Sequence, residues 1–350
     1  MIFTYLKHPL TVAGILFVMS LALHGWGIDK PNEAVFDEVH FGKFVSAYLT
    51  GEYYFDIHPP LGKLMIGGMA KLTGFEPRYG FQNIGEHYPD NKYIWLRVLP
   101  AFFGSLLVPL IFLLALRLSG SLTAGVVSGL FIVFENALLV QSKFILMDSF
   151  LLVFGLSALY FFLESKDFFP NGRWGSWSSA AAAAAAGLSI SIKWTGISFL
   201  GLMLLWGLIS LVKKIINRDK RIYRSMMSYA LFGVIPLILY ISFFFIHFKL
   251  LPKQGPGNAF MRPRVIESQA RGYPLRDFPA NFLELNLEMY TSNQRLTSEH
   301  PYSSRWYTWP FMLRSLYYWN KDSGSPEAMS YQRIYLLGNP FVWWISTALT

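Results

Sequence analysis

The 350 residues contain no cysteine. That excludes a disulfide framework, a thiolate metal site and chemistry on a cysteine nucleophile. Charge is scarce too: 15% of the residues are Asp, Glu, Lys or Arg, against about 25% in an ordinary soluble domain. No glycine-rich phosphate loop, His-Glu-x-x-His helix or Gly-x-Ser-x-Gly elbow is present. There is also no Asp-x-Asp pair of the kind that holds a metal-bound nucleotide sugar.

What the chain has instead is apolar bulk: 53% hydrophobic and 17% aromatic residues, with mean hydropathy +0.35. The apolar residues run in long stretches, and a helix needs roughly 20 of them to cross hydrocarbon. Spans are expected near 10–28, 98–118, 122–140, 147–163, 176–192, 196–212, 227–246 and 340–350. Glu135 and Asn136 interrupt the third. The fifth and sixth are short and separated only by Lys193-Trp194-Thr195, so one long helical hairpin is the alternative to two spans there. The first stretch is too long for a signal-peptide core and lacks an Ala-x-Ala site, so it is read as a retained helix.

Net charge is +9, which in a soluble chain would suggest nucleic acid. Its location argues otherwise. Lys213, Lys214, Arg218, Lys220, Arg221 and Arg224 crowd one short loop, Lys166 and Arg173 another, and Lys7 and Arg117 flank spans on the same face. Positive short loops mark the cytoplasmic side. The N-terminus is therefore expected inside, with loops 29–92 and 249–339 outside on a common face, able to build one site together.

Within the first loop, 39–50 and 61–72 carry apolar residues at helical spacing. They are expected as interfacial helices lying apolar side down, the second started by Pro59-Pro60. In the second loop, 278–295 has helical spacing, and 313–320 and 332–337 are expected to pair around a turn at 322–326. The alanine run 180–186 suits close helix packing through small side chains.

The candidate chemistry centres on Asp37-Glu38, just past the first span. The plainer reading is a capping pair for the helix that follows. The sharper one is that a carboxylate beside an interfacial helix deprotonates an acceptor hydroxyl, general-base help of roughly 10²–10⁴-fold. Lys63, Arg97, His300 and Arg305 are candidate partners for a lipid-borne phosphate, against the alternative of simple snorkelling. His58, in His58-Pro59-Pro60-Leu61-Gly62-Lys63, joins them. Asp148 is either an N-cap or an acceptor-side group, and Glu135 and Asn136 are ionisable or polar groups at membrane depth. No metal site and no cofactor are expected.

In Phe36–Phe44, Asp56–Leu64, Arg97–Ala101, Lys143–Ser149, Ser191–Gly196, His300–Pro310 and Gly338–Trp344 the chain resembles the protein O-mannosyltransferase family, glycosyltransferase family 39 of GT-C architecture. The resemblance implies an all-α polytopic membrane protein: a GT-C transmembrane helix bundle with two large extracytoplasmic loops. It implies inverting transfer of mannose from polyprenyl or dolichyl phosphate mannose to Ser or Thr of secreted or membrane proteins. Asp37 would be the base and Glu38 would help place the acceptor. Arg97 would support the site or bind phosphate, and His300 and Arg305 would sit on the phosphate and sugar side. The loop 249–339 is too short for the soluble insert of eukaryotic members, so a prokaryotic-type enzyme of the cell membrane is expected, with an oligomer left open. Family members continue for several more spans, so a fragment is expected. The competing readings are a GT-C enzyme with a glycolipid or cell-wall polymer as acceptor, and a transporter, whose polar residues would lie near the midplane rather than in loops.

Overall fold

Where a backbone must satisfy its own hydrogen bonds, long apolar runs become helices. A computed structural model describes residues 8–77, 79–169, 172–173, 176–297, 303–323 and 329–349, and these are mostly helical. The apolar helices are α1 (Pro9–Gly25), α4 (Tyr93–Ser119), α5 (Leu122–Val133), α6 (Asn136–Lys143), α7 (Asp148–Leu163), α8 (Ser176–Ile192), α9 (Ile197–Ile216), α10 (Ile222–Leu250) and α13 (Pro340–Leu349). Between them lie α2 (Glu38–Thr50), α3 (Leu61–Leu72), α11 (Pro263–Ala270) and α12 (Phe278–Arg295), together with strands β1 (Leu316–Ser323) and β2 (Ser330–Leu336).

Among the described residues, α4, α10 and the stretch Trp194–Ile216 are long and apolar enough to cross a membrane, and α5 with α6 forms a fourth span if counted as one. That pair is bent by 54° where the sequence is interrupted. Glu135 accepts from Ala137 N at 3.1 Å, Asn339 N at 2.8 Å and Trp343 Nε1 at 3.1 Å. Asn136 Nδ2 donates to Leu337 O at 2.9 Å. The two polar residues thus cap a helix break and fasten the chain leading into α13, a structural use rather than chemistry at membrane depth. The fifth and sixth expected spans are separate helices, α8 and α9, joined by a 3-10 turn over Trp194–Gly196.

Helices α7, α8 and α10 pack side by side, and the alanine run permits it. Ala182, Ala183 and Ala186 are fully buried, and a Cβ on Gly187 would come within 2.7 Å of Pro236 Cα on α10. By contrast Leu202, Leu205 and Leu208 of α9 and Val234, Leu237 and Ile238 of α10 are more than half or about half exposed. Such contiguous apolar surface suits lipid contact.

The two loop helices form where their periodicity places them, but their apolar faces serve the protein interior. Phe41 and Val45 of α2 and Leu61, Ile66 and Ala70 of α3 are buried in one cluster with Leu96, Ile145, Met147 and Phe150. Gly62 lets α3 approach the start of α7, since a Cβ there would lie 2.9 Å from Met147 Cγ. The expected hairpin is present as antiparallel β1 and β2, paired from Leu316 with Leu336 to Ser323 with Ser330. It docks on the first loop: Trp319 Nε1 donates to Glu33 Oε2 at 2.8 Å and Lys321 Nζ to Glu33 Oε1 at 2.5 Å. The two loops thus share one face.

Candidate active site

The adjacent carboxylates have opposite fates. Glu38 is fully buried. Its Oε1 accepts from Arg97 Nε at 2.8 Å and Ile145 N at 3.0 Å; its Oε2 accepts from Val35 N at 2.9 Å, Arg97 Nη2 at 2.8 Å and Tyr88 OH at 3.2 Å. Five donors leave no acceptor capacity for a substrate, so the expectation that Glu38 places the acceptor is corrected: it fixes the turn before α2 to α4 and to the turn before α7. Arg97 is likewise fully buried. Besides Glu38, its guanidinium donates to the carbonyls of Ile28 (3.3 Å), Pro31 (2.8 Å) and Glu33 (2.9 Å). It supports the site and has no N–H left for phosphate.

Asp37 stands at the N-cap of α2, yet its side chain makes no capping bond, and it forms no ion pair among the described residues. Helix capping therefore does not account for it. Phe36 before it takes the left-handed conformation (φ 47°) and stacks on Tyr318 of β1 at 4.1 Å, while Glu38 after it is locked. The half-buried carboxylate is thus held from both sides with its acceptor atoms free. Burial pushes the Asp37 carboxyl above its ordinary value; His40 and Lys193 oppose this, and Asp148 and Asp56 add to it.

Asp148 opens α7 without capping it, and pairs with Lys193 at 2.7 Å, both partly exposed. Gln141 Nε2 donates to Asp148 Oδ2 at 2.5 Å, and Tyr318 OH donates to Gln141 Oε1. A polar chain therefore runs from the hairpin through α6 and α7 to the α8–α9 turn, beside Asp37. In the sequence Lys193 reads as a separator between spans. Its signal is a lone cation between two apolar runs, on the face expected to carry Asp37.

The His58 motif builds a scaffold. Lys63 is buried, donating to Asp56 Oδ2 and, at 2.7 Å, to His58 O. Its ammonium is committed to that turn, which corrects the expectation of a free phosphate ligand. Burial pushes the His58 imidazole down to about 4, so at neutral pH the ring carries no charge for phosphate. Arg305 is exposed and has no side-chain partner among the described residues. His300 lies outside the described residues. The described end of its motif borders an apolar cavity of about 530 Å³, lined by Phe36, Trp309, Met312, Arg314, Leu336 and Trp343 among others. The cavity therefore adjoins Asp37 through Phe36.

Comparison with known proteins shows the family. The family model described as "Dolichyl-phosphate-mannose-protein mannosyltransferase" matches residues 14–252. One described as "C-terminal four TMM region of protein-O-mannosyltransferase" matches 278–350. The chain is 34% identical over 265 residues to dolichyl-phosphate-mannose–protein mannosyltransferase 1 of Saccharomyces cerevisiae, covering 74% of this chain and 32% of that protein. It is 36% identical over 254 residues to protein O-mannosyltransferase 1 of Drosophila melanogaster, covering 70% and 28%. The chain thus spans about a third of the length of the curated relatives it matches. The solved structure of the S. cerevisiae protein O-mannosyltransferase Pmt1-Pmt2 complex bound to the sugar donor superposes with a TM-score of 0.85 at 20% identity, over 97% of this chain and 74% of that one. That likeness shows a shared fold, the GT-C helix bundle.

Proposed function

The chain belongs to the dolichyl-phosphate-mannose–protein mannosyltransferase family, and from that premise we propose that it moves mannose from a polyprenyl phosphate mannose to Ser or Thr hydroxyls of exported proteins. The observation that carries the proposal is Asp37: a rigidly held, half-buried carboxylate without a partner, beside the Lys193–Asp148 pair.

In this scheme the acceptor oxygen attacks C1 of mannose from the face opposite the phosphate. Its proton passes to the Asp37 carboxylate, and the C1–O bond to phosphate breaks, leaving a lipid monophosphate and an inverted glycosidic bond. A raised pKa makes Asp37 a better proton acceptor once ionised. Lys193 is the cation placed to meet the charge growing on the leaving phosphate, with Asp148 holding its ammonium in position. The apolar cavity beside Phe36 suits the prenyl end of the donor, with Arg314 in its lining. Phosphate as leaving group needs no divalent ion, and the reaction is proposed to run without one.

The site is proposed to face the extracytoplasmic side of the cell membrane, with the N-terminus inside, because the basic short loops lie at the other ends of the helices. Assembly with a second copy or a related chain is in keeping with the Pmt1-Pmt2 complex.

The test supplies membranes carrying the chain with labelled polyprenyl phosphate mannose and a Ser/Thr peptide. Label in the peptide, lost in Asp37→Asn, supports the reading. Label in lipid, or none transferred by a correctly inserted protein, refutes it.

A further inference from the structure

At the helix ends remote from Asp37 there is a second cavity, of about 370 Å³. Asp148 begins α7 and Lys193 precedes α9, whereas this cavity lies beyond the last turn of α7 and at the last turn of α9. At 1.5 Å per residue, α9 alone separates the two sites by about 30 Å.

Three elements build it. The chain leaving α7 brings Lys166 and Phe169, the end of α9 brings Trp206, Ile209, Lys213 and Lys214, and the turn into α10 brings Asp219 and Arg221. Most of the charged groups here are internally spoken for. Asp219 pairs with Arg221 at 2.7 Å, and buried Asp167 meets Arg224 at 3.2 Å with Ser179 and Ser228 donating to it. Lys214 Nζ donates to Asp167 O and to Ser225 Oγ at 2.5 Å. That leaves Lys166 and Lys213, both exposed, as cations without an ion pair among the described residues. The opposite wall is apolar: Phe169 stacks on Trp206 at 6.1 Å, and Trp206 and Ile209 are about half exposed.

Lysines at a helix C-terminus complement its dipole, but that accounts neither for Lys166, which comes from another element, nor for the aromatic wall. We infer that this cavity binds one anionic phospholipid, its phosphate held by Lys166 and Lys213 and its glycerol and upper acyl carbons against Trp206 and Ile209. Basic pockets between membrane helices with an apolar wall fit a headgroup that arrives attached to its chains. A free phosphate would gain nothing from the wall.

The full chain in detergent, equilibrated with equimolar phosphatidylglycerol and phosphatidylcholine, is read by native mass spectrometry for retained lipid. The wild type is expected to retain one phosphatidylglycerol in preference. Each lysine near an anionic lipid is worth about five-fold, so Lys166→Gln with Lys213→Gln is expected to lower the preference by about 30-fold. Trp206→Ala, at a half-exposed position, is expected to lower it as well. The same charge change at exposed Lys71 and Lys253, outside the cavity, is expected to leave it intact, and excess glycerol 3-phosphate is expected not to displace the lipid. Undiminished retention in the double variant, equal loss in the Lys71/Lys253 control, or displacement by glycerol 3-phosphate would each overturn the inference.

Discussion

Replacing Glu38 by Gln separates a group that acts on substrate from one that holds the site. The substitution keeps the shape and removes one oxygen. Oε1 accepts two hydrogen bonds and Oε2 three, all from N–H or O–H groups. Whichever way the new amide turns, its NH₂ faces at least two donors, and Arg97, with no exposed surface, loses its counter-charge. Leaving one member of a buried ion pair unpaired costs about 3–5 kcal/mol. The opposed donors fall within that figure rather than adding to it, because they belong to one network. An unfolding entropy of about 2.1 cal/mol/K per residue over a chain of this length makes the loss about 4–7 °C in thermal midpoint. Asp37→Asn is expected to behave in the opposite way. Burial raises the folded pKa of Asp37, so the folded state binds that proton more tightly than the unfolded chain. Stability is therefore highest below the unfolded pKa and declines as pH rises through the folded pKa. At neutral pH the ionised group is a burden, and Asn removes it. Melts at fixed scan rate in one detergent, alongside peptide mannosylation, read both variants. Glu38→Gln is expected to melt lower and to lose transfer in step. Asp37→Asn is expected to melt at or above the wild-type temperature with transfer abolished. A Glu38→Gln protein with an unchanged midpoint and no transfer would refute the reasoning, because Glu38 would then act on substrate.

Three further outcomes are expected. Lys193→Gln should lower kcat/KM on the order of 10²-fold, the usual loss when a charge-stabilising group is removed from a transition state, with partial recovery in Lys193→Arg; a wild-type rate in the Gln variant would remove Lys193 from the reaction. Because the base must be ionised and burial raises its pKa, kcat/KM should fall with acid at a pH above the ordinary carboxyl value of about 3.9, and a limb at or below that value would contradict the assignment of Asp37. A chelator that strips divalent ions should leave transfer unchanged, and loss restored by added metal would refute the metal-free scheme.

The sequence by itself determined the class of fold and the broad plan of the chain. Uninterrupted apolar runs have essentially one stable form in hydrocarbon, and Glu135-Asn136 and Lys193 marked the breaks because polar residues are costly within such runs. Local spacing also placed α2, α3 and the hairpin. Tertiary structure alone decided which charged groups are free. Asp37 and Glu38 are chemically alike neighbours, but successive residues at a helix start point in different directions. One is enclosed by the distant Arg97, Tyr88 and Ile145 N–H together with the nearby Val35 N–H, and the other is left open. Lys63 and Arg97 read as exposed phosphate ligands in the sequence and are consumed by internal acceptors, whereas Lys193, which reads as mere punctuation, stands with Asp148 beside Asp37. Lys63 is bound locally, by Asp56 seven residues earlier, but for Glu38, Arg97 and Lys193 the assignment depends on contacts between residues 45 to 107 positions apart, and no local pattern encodes these.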